Sequence, residues 1–367
     1  MALASLTSRE RMLTAIDGGV PDRLPVTTHH LMSYFLNEYM NGASDIEFFD
    51  HFGLDAIIWA GPVKNEPSDN WRIEEQEIPG HDYRTIRYTI VTPAGNLATV
   101  IQYNEYTCWV TERLVKDKKD IDLIGQYVPS PVCDVESVNS IADNNADKLI
   151  RGSICSFDLF GQPGTWQDAA CLFGIEKLIM ATFDDPQWVH TFLKILQKRK
   201  KEYIASLKGA KYDILELGGG DASSTVISPA IFDEYVAPYD MELIRLAHGI
   251  SQRIVYHTCG GMMPILENIA AMKPDAMETF TPPGMGGDVD LANARKRVPS
   301  DICMIGGFDQ FHFFKDCGQE QTRAEVRRCF EAAGQNGAFI LSPSDHFFDA
   351  EPELLMAFAD EARKCTY

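Results

Sequence analysis

The sequence predicts an α/β protein, a (β/α)8 TIM barrel, from three observations. Short β-rich runs alternate with helix-like stretches, there are eight such runs, and reactive polar residues gather where the runs end. Alternation of this kind implies a parallel sheet, and eight strand–helix units are the number that closes a barrel. The runs are LPVTTHH at 24–30, AIIWA at 56–60, SICSF at 153–157 and DILEL at 213–217, then IVYHTC at 254–259, AMETF at 276–280, CMIGGF at 303–308 and FILSP at 339–343.

Between them lie stretches such as GIEKLIMATF, PQWVHTFLKILQKRKKEYIASL, MPILENIAAM, RAEVRRCFEAAG and PELLMAFADEARK, whose apolar residues recur every three or four positions. That is the helical period. A further helix is expected near the start, capped by Thr7 or Ser8 with Glu10 in its first turn. Residues 83–115 depart from the alternation. They run in period two around a Pro-Ala-Gly turn and read as an antiparallel excursion after the second strand. No repeat or long linker interrupts residues 1–367, so one barrel domain is expected.

Composition narrows the function. A formal net charge of -20 argues against nucleic acid or an anionic membrane surface as partner. No stretch approaches the roughly 18 uncharged apolar residues of a membrane span. The first residues lack a basic segment followed by an apolar one, so no signal peptide is expected. Nine cysteines without framework spacing fit a reducing, cytoplasmic setting.

In barrels of this class the chemistry sits at the C-terminal ends of the strands. Seven of the eight predicted ends carry polar residues: His29 and His30, Asp158, Glu216 with Asp221, His257 with Cys259, Glu278, Asp309, and Asp345 with His346. Together they predict one pocket. His257 and Cys259 stand two apart in a strand, so both side chains can face one ion. Imidazole nitrogen and thiolate sulfur are typical zinc ligands. Glu278 ends the next strand, about 4.8 Å away, and can reach the same ion. Glu216 and Asp221 are candidates to orient substrate or the metal-bound histidine. Of His29 and His30, strand alternation allows one to face the pocket, and His29 is the catalytic candidate. Asp309 can instead cap the helix after it. Trp59, Trp166, Phe308, Phe311, Phe347 and Phe348 are candidates for an apolar wall against an aromatic ring, with core packing the alternative.

The segment HTCGGMMPILENIAAMKPDAMETFTPP resembles the zinc segment of cobalamin-independent methionine synthase, whose ligands would correspond to His257, Cys259 and Glu278. The wider chain resembles the uroporphyrinogen decarboxylase superfamily, including its corrinoid-dependent methyltransferases. The similar parts are FFDHFGLDAI, FDDPQWVHTFLKIL, VISPAIFDEYVAPYDMELI, MIGGFDQ and GAFILSPSDHFFDAEPELLMAF. The resemblance implies a zinc-dependent methyltransferase working with a corrinoid-binding protein. Two departures bear on this. Decarboxylases of the superfamily carry an arginine-bearing segment after the first strand, where this chain reads Thr27-Thr28-His29-His30-Leu31-Met32 with no arginine. Where zinc methyltransferases of the group place a second cysteine, this chain has Asp345 and His346. Either would be the fourth ligand, or that position is left to water or substrate.

Such an oxygen-rich set suits activation of a methoxy compound as methyl donor; a thiol or tetrahydrofolate acceptor is the other direction. Two other readings stand beside it. One is a decarboxylase-type lyase acting on a substrate other than uroporphyrinogen, and the other is a barrel without catalytic activity.

Overall fold

The structure is a computed structural model that describes residues 5–61, 63–64 and 68–367. Seven parallel strands form one curled sheet: Ile57–Trp59, Leu149–Ser153, Ile214–Gly218, Ile254–His257, Ala276–Thr279, Cys303–Phe308 and Phe339–Pro343, neighbours in that order. The eighth position is filled by the chain around Val26. Val26 bridges Leu341 in parallel, and its carbonyl accepts the N–H of Asp55 on the other side. The sheet therefore closes into the expected barrel.

Most predicted strands are matched within a residue or two, and the exceptions have physical reasons. The run at 24–30 is reduced to a single bridge at Val26. The third strand is Leu149–Ser153 rather than 153–157. Its sequence, LIRGS, holds a buried arginine that hides it from a reading based on apolar runs.

The antiparallel excursion is a four-stranded sheet of Arg72–Glu77, Arg84–Thr92, Gly95–Tyr103 and Cys108–Glu112. It begins earlier than residue 83 because its first strand, RIEEQE, is exposed throughout and carries no apolar alternation. Pairing with the next strand, Arg72 opposite Val91 through Glu77 opposite Ile86, makes it a strand.

Helix ends follow local rules. Thr7 and Glu10 form a reciprocal capping box on Ser8–Ile16. Asp185 caps the helix Pro186–Ser206, with proline in its first turn. The stretch AIFDEYVAPYDMELIRLAHG at 230–249, whose apolar spacing also predicts a helix, is interrupted by a π turn at Phe232–Val236. The break precedes Pro238, which has no N–H to continue the ladder. Among the described residues no helix is long and apolar enough to cross a membrane.

One device recurs at the N-terminal end of the barrel. Asp55, Asp213 and Asp275 each stand at a strand start and accept the N–H of a residue in the preceding strand. The donors are Val26 at 2.9 Å, Ile150 at 2.8 Å and Ile254 at 2.7 Å. Asp55 is 1% exposed and also receives Arg11 at 2.6 Å and Arg23 at 3.1 Å. It ties the first helix, the closing strand and the second strand together. Asp55→Asn strands two guanidinium charges there and should cost about 3–5 kcal/mol of stability. Glu320→Gln, in the exposed pair with Arg327, should cost less than about 1 kcal/mol. Urea unfolding of the two variants measures the difference, and equal losses would contradict it.

Candidate metal and substrate site

The register of the sheet builds the site. His257 pairs directly with Glu278 on one neighbour and Gly218 on the other, while Glu216 pairs with Ser153. Period two then turns Arg151, Glu216, His257 and Glu278 toward the barrel axis at its C-terminal end. One ligand atom from each of His29, Glu216, His257 and Glu278 lies within 4.8 Å of all the others.

Beneath them sits Arg151, 1% exposed. It grips Glu278 with two bonds, of 2.9 and 2.5 Å, and reaches Glu216 at 2.5 Å. Its guanidinium stacks on Trp59, 4.7 Å from the ring centre. Glu278, 2% exposed, also accepts a bond from His257 Nδ1 at 2.9 Å.

These contacts set the ionisation. Burial alone would raise the Glu278 carboxyl, but the Arg151 charge and the His257 bond hold it well below the usual range. Burial likewise opposes charge on His257, yet hydrogen bonds to Cys259 and Glu278, with the negative charge of Glu216, raise it well above the ordinary imidazole value. Burial pushes His29 down to about 4, so its ring is neutral at pH 7. Its ring centre lies 5.4 Å from that of His257.

Cys259 is outside the group of four but lines the same cavity as His257. Its sulfur approaches Gly220 so closely that a Cβ there would come within 2.6 Å, so glycine is required. Asp345 and His346 line the cavity and bond each other at 2.8 Å, also outside the group. Burial would raise Asp345, but the His346 contact holds it at about 2. Asp221 lies on the loop after Glu216. Gln167 donates to its carboxylate at 2.8 Å and accepts its backbone N–H at 2.6 Å.

Above the group opens a cavity of about 880 Å3, lined by Glu216, Asp221, Cys259, Trp59, Asp345 and others. His29 and His30 both line it, contrary to the one-sided expectation. Regular strand geometry has ended at Val26, so alternation no longer applies. Of the expected apolar wall, Trp59 and Phe311 line the cavity. Trp166, Phe308 and Phe347 belong to the core. Asp158 pairs with Arg199 beside a smaller cavity. Asp309 caps the helix Gln310–Phe313.

The donor types fit zinc, which takes imidazole, thiolate and carboxylate ligands. Bonds of about 2.0–2.3 Å put zinc ligands roughly 3.3–3.8 Å apart, so the group needs only modest tightening. The charges fit as well. Two carboxylates and a thiolate would balance one dication together with Arg151.

Sequence reasoning missed Arg151. The available signal was a lone arginine in a short apolar strand, in phase with Ser153 on the inward face. Arg151→Gln leaves Glu216 and Glu278 without their cation. It should cost about 3–5 kcal/mol in metal-free protein, and Arg151→Lys, which keeps the charge, clearly less. Denaturant titration of both variants tests the ranking; a neutral Arg151→Gln would refute it.

The sequence model of the uroporphyrinogen decarboxylase (URO-D) family matches residues 79–365. A methylated-thiol–coenzyme M methyltransferase from Methanosarcina mazei is 26% identical over 161 residues, 44% of this chain and 41% of the relative. A uroporphyrinogen decarboxylase from Chlorobium phaeovibrioides is 24% identical over 160 residues, 42% of each protein. The chain thus spans about 41–42% of the length of these curated relatives. Among solved structures, a methyltransferase from Methanosarcina mazei superposes with a TM-score of 0.65 at 13% identity, over 98% of this chain and 99% of that one. A B12-independent methionine synthase from a Shewanella species, in complex with selenomethionine, gives 0.53 at 9% identity, over 93% and 98%. At such identities the two structures support the barrel and nothing finer. The family match is of another kind, since it runs from the antiparallel sheet to the last helix: the chain belongs to the uroporphyrinogen decarboxylase family.

Proposed function

We propose that this chain is a zinc-dependent methyltransferase moving a methyl group between a small methoxylated substrate and a corrinoid carried by a partner protein. His257, Cys259 and Glu278 would hold the ion. The fourth position falls to Glu216, His29 or the substrate; their closeness to the group favours them over Asp345 and His346. The observation that carries this reading is the pairing of His257 with Glu278 across adjacent strands, with Cys259 alongside, at the floor of a large cavity. The methyl-transfer activity in the name of the Methanosarcina mazei relative agrees with it.

When bound, zinc supplies Lewis acidity toward an ether oxygen. The chain's own residues prepare that chemistry. Arg151 fixes Glu216 and Glu278 before substrate arrives, so little reorganisation accompanies charge development. Neutral His29 lines the floor without adding charge. Trp59, Met32 and Phe311 give the cavity an apolar side that limits water around the reacting group.

Decarboxylation of uroporphyrinogen itself meets an obstacle. Uroporphyrinogen is a polyanion, and among the described residues lining the cavity there is no lysine or arginine. Arg151 lies below the floor, engaged by two carboxylates. The protein should therefore not convert uroporphyrinogen to coproporphyrinogen, and robust product formation would overturn this reading.

Metal analysis should find about one zinc per chain, with most of it lost in Cys259→Ala. Full zinc retention in a His257→Ala, Cys259→Ala double variant would rule the site out. With a methoxylated donor, the zinc protein should convert Co(I) corrinoid to methyl-Co(III), followed by absorbance. Demethylation of methyl-Co(III) only in the presence of a thiol or tetrahydrofolate would reverse the assigned direction.

A further inference from the structure

The charged groups around the cavity are arranged asymmetrically. Glu216, Asp221 and Asp345 line it, together with four imidazoles, and no ammonium or guanidinium does among the described residues. The nearby arginines are engaged elsewhere. Arg151 is committed to Glu216 and Glu278. Arg113 donates to the Cys171 carbonyl at 2.9 Å, and Arg199 bonds Asp158 and the carbonyls of Pro129 and Ser156.

Asp221 stands out among the three acids. It follows Gly219 and Gly220 on the loop pressed against the Cys259 sulfur, which places it beside the reacting end of the cavity. Among the described residues the one side chain that hydrogen-bonds its carboxylate is Gln167, a neutral amide, which also accepts its backbone N–H. The clamp fixes a carboxylate at the cavity surface without neutralising it. Trp59, Met32, Met285 and Phe311 also line the cavity and provide flat apolar surface.

We propose, resting on the methyl-transfer reading above, that the donor is an uncharged methoxylated phenol and that Asp221 is a specificity-determining residue. Its carboxylate accepts a hydrogen bond from the phenolic hydroxyl. The same charge disfavours rings bearing a carboxylate or sulfonate beside it, where no ammonium or guanidinium among the described lining residues offsets it. Specificity of this sort comes from the penalty on the wrong ligand as much as from contact with the right one. An unpaired anion moved out of water beside a fixed carboxylate is costly.

The test is calorimetric binding to the zinc-loaded full chain of two probes, 2-methoxyphenol and 2-methoxybenzoate, the second carrying a carboxylate where the hydroxyl would meet Asp221. The neutral probe should bind at least about tenfold more tightly. Asp221→Asn should shrink that ratio several-fold, mainly by improving the benzoate. Should loss of the Gln167 clamp unfold that variant, Val226→Lys provides a second route. Val226 is 38% exposed and lines the cavity, so a lysine there adds an ammonium group without disturbing the core. It should strengthen the benzoate and leave the phenol unchanged. Equal or tighter binding of the benzoate by the wild-type protein, no binding of the phenol, or a ratio unmoved by either folded variant would overturn the proposal. Selective binding of the phenol without methylation of Co(I) corrinoid would instead overturn the methyl-transfer reading and leave the charge selectivity standing.

Discussion

The floor of the barrel depends on the ion-pair cluster formed by Arg151 with Glu278 and Glu216. Two carboxylates this close in a buried site would repel, and one would protonate, unless a cation lay between them. Arg151 supplies it from the adjacent strand, with a planar fork that matches Glu278 in two places. The neighbouring side chains follow from that arrangement. Glu278 is held charged and turned toward His257, His257 is oriented by Glu278, and Trp59 is covered by the guanidinium on one face. The Trp59 indole in turn donates to the His29 carbonyl at 2.6 Å and fixes the bend that brings His29 inward. A buried pair of this kind adds little net stability against an apolar core. Its contribution here is geometric, since it fixes the directions of the groups above it.

The backbone around the cluster is under strain at the same level. Thr279 and Phe280, directly after Glu278, have φ of 89° and 46°. Such conformations cost about 1–3 kcal/mol each for residues with a Cβ and persist where surrounding structure imposes them. The Thr279 hydroxyl donates to the Thr258 carbonyl at 2.6 Å, which locks the end of this strand to its neighbour. On the other side Gly218, at φ 104°, lets the His257 carbonyl approach to where a Cβ would be 2.3 Å away. The strand carrying His257 is thus held close on both sides, so His257 and Cys259 stand on a rigid edge rather than on a free loop.

Much of this was legible in the sequence because it rests on local rules. Six of the eight barrel positions were visible as apolar runs that match strands, and strand-to-strand adjacency put Glu278 beside His257. The capping role of Asp309 followed from its position between a strand and a helix. What escaped depends on three-dimensional pairing. Arg151 looks like a surface charge until its partners on two other strands are known, and missing it displaced the third strand by four residues. The exposed strand Arg72–Glu77 has no periodic signal, since its partner supplies the order. His29 and His30 turned inward together because the chain bends at their position. Sequence alternation cannot register such a bend.

The central claim is that this cluster presents one thiolate, one imidazole and carboxylate oxygen to a single zinc ion. Substituting cobalt(II) for zinc makes the ligand set visible. A four-coordinate site with one thiolate gives intense visible bands and a sulfur-to-cobalt charge-transfer band in the near ultraviolet. The account predicts both in the wild-type protein. It also predicts loss of the charge-transfer band in Cys259→Ser, with the visible bands altered and weakened as cobalt binding falls. Weak, octahedral-type visible absorption with no charge-transfer band in the wild-type protein would contradict it.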